Sequence, residues 1–150
     1  MLGPTIELPA APAYVATARL FAAAAARHFG VEEADVEDAR LAVSEIVTAS
    51  LVHAGGAATG AVEVSVAPPS DGIVTFRVGV PGRLPERAED VEGLDGFADD
   101  ERFAMRMSLR LIHELFADTM VEPIEPGRTV VAFSVPLPES SDLGEDAGPD

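Results

Sequence analysis

One carboxylate stands out for its setting. Glu45 lies within the run Asp38-Ala-Arg-Leu-Ala-Val-Ser-Glu-Ile-Val-Thr-Ala-Ser-Leu-Val-His-Ala-Gly-Gly, which ends at Gly56. Val36, Ala39, Val43, Ile46, Val47 and Ser50 recur there at spacings of three and four, so they share one apolar stripe of a helix. An ionised group in such a helix is costly to bury and asks for an explanation. Other chemistry is thin. His28, His53 and His113 have no metal-like spacing to one another or to a pair of carboxylates. No Ser/His/Asp arrangement, no P-loop and no basic aromatic patch is present. With no cysteine, thiol catalysis, disulfides and cysteine-bound zinc are excluded.

The elements that must position Glu45 follow from pattern. Asp35 is the expected N-cap of its helix, with Glu37 in the first turn and Asp38 three residues on. Gly55 and Gly56 supply its stop. Upstream, Thr5 to Pro9 alternates as a short edge strand. Ala13 to Phe29 is helical, with Val15, Ala18, Leu20, Ala22, Ala25 and Phe29 among its apolar positions. The alanines from Ala22 to Ala26 allow a neighbouring backbone to approach closely. Downstream, Ala61 to Val66 and Ile73 to Val78 alternate with period two around Pro68-Pro-Ser-Asp-Gly72, an antiparallel hairpin with one buried face. Pro81 to Ala98 reads as a long irregular loop, functional or mobile. A helix is expected from about Asp99 to Ala117, its stripe made by Phe103, Met107, Leu111, Ile112, Leu115 and Phe116. Met120 to Glu122 and Arg128 to Leu137 complete a second hairpin through Pro126-Gly127. The order βααββ, loop, αββ implies an α+β fold: a two-layer sandwich, mainly antiparallel sheet covered on one face by helices.

The helix around Glu45 resembles the N-box helix of the anti-sigma-factor serine kinases of bacterial partner switching. These belong to the GHKL superfamily, whose histidine-kinase-like ATPase domain has the Bergerat fold. The matching residues are Asp38, Arg40, Leu41, Ala42, Val43, Ser44, Glu45, Val47, Thr48, His53 and Ala54. The family's asparagine, four residues after the glutamate, is Ala49 here. The element order of the resembled family extends over residues 4 to 138.

The resemblance implies a nucleotide site between helices and sheet, held by three motifs. The N-box asparagine helps to coordinate magnesium, which needs oxygen ligands; Ala49 has none. Glu45 would act near the reacting phosphate as a base or water-orienting group. Its structural alternative is a carboxylate satisfied by helix ends or by an arginine such as Arg77. The second motif, D-x-G-x-G, offers a carboxylate to adenine. Val80 stands at that position and cannot accept a hydrogen bond, while Gly82 is kept and serves equally as a turn glycine. The third motif, G-x-G-L, places backbone N–H groups toward phosphate at the start of the last helix. Arg106-Met107-Ser108-Leu109 corresponds to it without a glycine, leaving Arg106 or Arg110 as substitute anion ligands or as solvent-facing residues. Eight carboxylates lie between Glu86 and Arg102, a poor sign of charge for a lid over triphosphate.

Charge points to partners of one kind. The 150 residues hold 26 acidic and 10 basic side chains, a formal −16, which repels nucleic acids and anionic membranes and favours basic protein surfaces, besides aiding solubility. No signal segment or membrane span is recognisable, so a cytoplasmic protein is expected. Residues 1–138 are expected to form one domain and 139–150 an acidic, disordered tail. The expected function is that of an anti-sigma-factor-like pseudokinase, regulating transcription by protein binding with no cofactor, although ATP and magnesium are the family's default. Implied partners are a sigma factor or an anti-anti-sigma (antagonist) protein. A homodimer, or a heterodimer with a family relative, is implied as well. Two alternatives stand: a working serine/threonine kinase using Glu45, Arg106 and Arg110, and a sensor whose emptied pocket takes a more apolar ligand.

Overall fold

The structure is a computed structural model that describes residues 3–53, 60–124 and 127–139, with His53 described in its backbone alone. The expected stop at Gly55 and Gly56, the side chain of His53, Pro126 and the tail from residue 140 lie outside the described residues. Five strands and three α-helices follow one another: β1 (Thr5–Pro9), α1 (Val15–His28), α2 (Glu33–His53), β2 (Ala61–Val66), β3 (Ile73–Pro81), α3 (Asp99–Leu115), β4 (Met120–Pro123) and β5 (Arg128–Pro136). Short 3-10 turns occupy Pro12–Tyr14 and Ala88–Gly93. The strands form one fully antiparallel sheet in the order β1-β2-β3-β5-β4. This is the α+β architecture that the alternating strands and the helical stripes imply.

Alternation sends one face of each strand to the core. On β3, Val74, Phe76, Val78 and Val80 are buried while Arg77 is exposed on the opposite face. On β5, Thr129, Val131, Phe133 and Val135 point inward. Phe133 stacks on Phe76 with ring centroids 5.0 Å apart and on Phe116 at 4.4 Å, which ties the end of α3 to the sheet. Against this face lies α2, whose predicted stripe is borne out: Val36, Ala39, Val43, Ile46, Val47 and Ser50 are all buried. Ala18, Ala22, Ala23, Ala25 and Ala26 of α1 are buried where α1 meets α2, a close approach that alanine side chains permit. No described helix is long and apolar enough to cross a membrane.

Four expectations change in detail. The Glu45 helix begins at Glu33, where the Val36 N–H donates to the Glu32 carbonyl at 2.8 Å, so Asp35 sits in the first turn instead of capping it. Leu20 is largely exposed, on the side of α1 away from α2. The segment after Pro81 is not structureless: its 3-10 turn packs Ala88 and Val91 against Met105 and Leu109, with Val52, Leu94 and Phe97 around them. As a result α3 is rotated from its predicted phase. It buries Met105, Ser108, Leu109 and Ile112 and leaves Phe103 and Met107 exposed.

Candidate functional site

Glu45 sits on the part of α2 that faces α3, and its charge is met there. The Ser108 hydroxyl donates a 2.7 Å hydrogen bond to Glu45 Oε1. Glu45 is half-buried and Ser108 buried, so a charge-assisted hydrogen bond in this setting is a strong local tie. Arg77 cannot be the partner, since it projects from the sheet face away from the helices. The sequence names both Glu45 and Ser108 as site positions but not their pairing, which depends on how α2 and α3 are aligned.

The remaining site positions are distributed differently. Ala49 and Val80 belong to the main apolar core, at 1% and 0% exposure, so neither side chain is open to solvent. Gly82 follows β3 at φ +91°, a left-handed conformation that favours glycine. Its N–H donates to the Gly127 carbonyl, and its own carbonyl accepts from Thr129 Oγ1 at 2.6 Å. The same Thr129 oxygen accepts from the Leu84 N–H at 3.0 Å. A turn therefore explains the glycine fully. Thr129, fully buried, was missed from sequence, although a polar residue in phase with Val131, Phe133 and Val135 was its signal.

The third motif position departs from expectation. Arg106, Met107, Ser108 and Leu109 lie well inside α3, which starts at Asp99. Their N–H groups fall beyond the free first turn of the helix and so are not available to a phosphate. Helix geometry also separates the arginines from Glu45. Arg106 and Arg110 are each two residues from Ser108, about 200° around the axis, and so point away from it. Arg106 is bound instead to Glu92, at 2.6 Å, and its guanidinium lies 5.9 Å from the Phe103 ring centroid. Arg110 lines an open cleft of about 410 Å³ with Arg87, Glu89, His113 and Glu114. His113 Nε2 donates to the Glu86 carbonyl at 3.1 Å and fastens the segment after β3 to α3.

This arrangement is poorly suited to magnesium and a triphosphate. Ala49 offers no oxygen, Val80 offers adenine no acceptor, and Glu45 is already engaged. Among the described residues no group of three or more His, Asp or Glu could hold a metal ion.

Comparison with known proteins agrees with the architecture. A family model described as the histidine kinase-like ATPase domain matches residues 8–135. Among solved structures, the chain is similar to the RsbU and RsbW domains of a Mycobacterium tuberculosis protein, with a TM-score of 0.59 and 20% identity over 90% of this chain. It spans only 33% of that mycobacterial chain. It is also similar to a chain of the SiaB–SiaC complex from Pseudomonas aeruginosa, with a TM-score of 0.57, 12% identity and 89% of each chain covered. No curated protein matches it. At these identities the structural likeness concerns the fold, whereas the family match extends over most of the sequence. The chain belongs to the histidine kinase-like ATPase domain family.

Proposed function

We propose that this domain is an anti-sigma-factor-like regulator that acts by protein–protein binding in a bacterial partner-switching system, without binding ATP or transferring phosphate. The observation that carries the reading is the burial of Ala49 and Val80 in the core, at positions where the resembled kinases hold polar ligands to magnesium and adenine. A nucleotide would have to open that core, and neither Ala49 nor Val80 would offer it a ligand. The engagement of Glu45 by Ser108 and the outward course of Arg106 and Arg110 support the same reading over a kinase with replacement ligands. The burial also argues against a sensor pocket at Ala49 and Val80.

The partner in this proposal is a sigma factor or an antagonist protein, met in the cytoplasm by a homodimer or by a heterodimer with a family relative. Support comes from the neighbours. One contains an RsbW domain, and the other was seen in a complex of SiaB with SiaC. The formal charge of −16 suits a basic region of such a partner. Incubation with γ-labelled ATP and magnesium tests the reading. Release of labelled phosphate should equal that of a protein-free control, and no label should be transferred to an antagonist protein added as acceptor. Turnover abolished by Glu45→Ala would overturn it.

A further inference from the structure

The outer side of α3 is apolar where solvent is expected. Phe103 and Met107, one turn apart on the same face, are 56% and 46% exposed. Single exposed apolar residues are ordinary, but a phenylalanine and a methionine side by side form the kind of surface enriched at protein interfaces. The patch is held firmly from beneath. Met105 and Leu109, on the opposite side of the helix, are buried under the 3-10 turn Ala88–Gly93, and Arg106 is fixed by Glu92 beside Phe103.

Charge identifies the occupant. Asp99 and Asp100 precede Phe103 by four and three residues, so helix geometry places both at the rim of the patch. Both are exposed, as are Glu92 and Asp95 from the segment that packs on α3. Of the cations nearby, Arg102 reaches Asp99 at 3.4 Å and the Leu94 carbonyl at 2.8 Å and Arg106 reaches Glu92, while the exposed Arg110, three residues after Met107, stands at the C-terminal end of the same face. An apolar centre whose N-terminal rim is acidic, on a chain of formal charge −16, complements an apolar segment flanked by lysine or arginine at that end.

We propose that the face of α3 bearing Phe103 and Met107 is the docking surface for a basic amphipathic segment of the partner protein. Its apolar side chains rest on Phe103 and Met107, and its cations meet Asp100, with Asp99 already paired to Arg102. This inference rests on the binding-protein reading, but it is tested without nucleotide, so the two can fail separately.

The test uses the full chain and two labelled synthetic peptides of about four helical turns, roughly 14 residues. One carries leucine and lysine at helical spacing; in the other every leucine is serine. Amide shifts in NMR spectra locate binding, and fluorescence anisotropy measures affinity. The Leu/Lys peptide should perturb residues 99–110 and bind the Phe103→Ser/Met107→Ser variant at least about tenfold more weakly than wild type. Leu20→Ser, an exposed leucine elsewhere, should leave affinity unchanged. The Ser/Lys peptide should not distinguish wild type from the double variant. Equal affinity of the Leu/Lys peptide for both proteins, or shifts centred away from 99–110, would overturn the proposal. So would a self-associated chain that the double variant converts to monomer, because a second copy would then cover the face.

Discussion

Ser108 on α3 donates a 2.7 Å hydrogen bond to the Glu45 carboxylate on α2, so the carboxylate in the apolar middle of the central helix is held by a neighbouring helix. The pairing has a measurable consequence. Ser108→Ala removes the donor and leaves a half-buried carboxylate one partner short, at a cost of about 1–2 kcal/mol. In a double-mutant cycle with Glu45→Ala, urea denaturation should return a coupling of about 1 kcal/mol. A coupling near zero would mean that water serves Glu45 equally well.

Thr129 anchors the end of β3 through two hydrogen bonds, donated to the Gly82 carbonyl and accepted from the Leu84 N–H. Thr129→Val keeps the shape and removes both. With Leu84 buried, the loss should reach about 2–3 kcal/mol by chemical denaturation, and Thr129→Ser should recover most of it.

Val80 is fully buried, opposite Thr129 in the β3–β5 pairing. Installing a carboxylate there to recreate an adenine acceptor places an unpaired charge in the core. Val80→Asp should therefore destabilise the fold by about 3 kcal/mol or more, read as a fall in urea midpoint, without a gain in nucleotide binding. A stable Val80→Asp protein that bound ATP would show the site to be merely unequipped, not closed.

The Arg27 guanidinium, hydrogen-bonded to Glu33 at 2.8 Å, holds the Glu33 carboxyl below its usual range. A lowered folded value stabilises above the unfolded 4.5 and is lost as pH falls through it. Glu33→Gln should thus lower Tm slightly at neutral pH, and the gap from wild type should close in acid. Both groups are exposed, so the gap should also shrink with added salt.

What could be read from the sequence depended on whether its pattern had one solution. The stripe of α2 fits a single helical phase, and every predicted member is buried. On α3, apolar residues fall at every second position, Phe103, Met105, Met107, Leu109 and Leu111, which fits two phases. The 3-10 turn Ala88–Gly93 decides between them by covering Met105 and Leu109, and that contact is made by a segment read as irregular loop. For the same reason the resemblance names Glu45, Ala49, Val80, Gly82, Arg106 and Ser108 singly, while their relations to one another are not legible in the sequence. Whether Ser108 or an arginine meets Glu45 depends on the packing of two helices, which no local pattern encodes.

The core at Ala49 and Val80 should exclude nucleotide, and isothermal titration with ATP, with and without magnesium, reads that exclusion. No saturable heat is expected at millimolar nucleotide under either condition. Micromolar, magnesium-dependent binding would contradict it and return the domain to the working kinases.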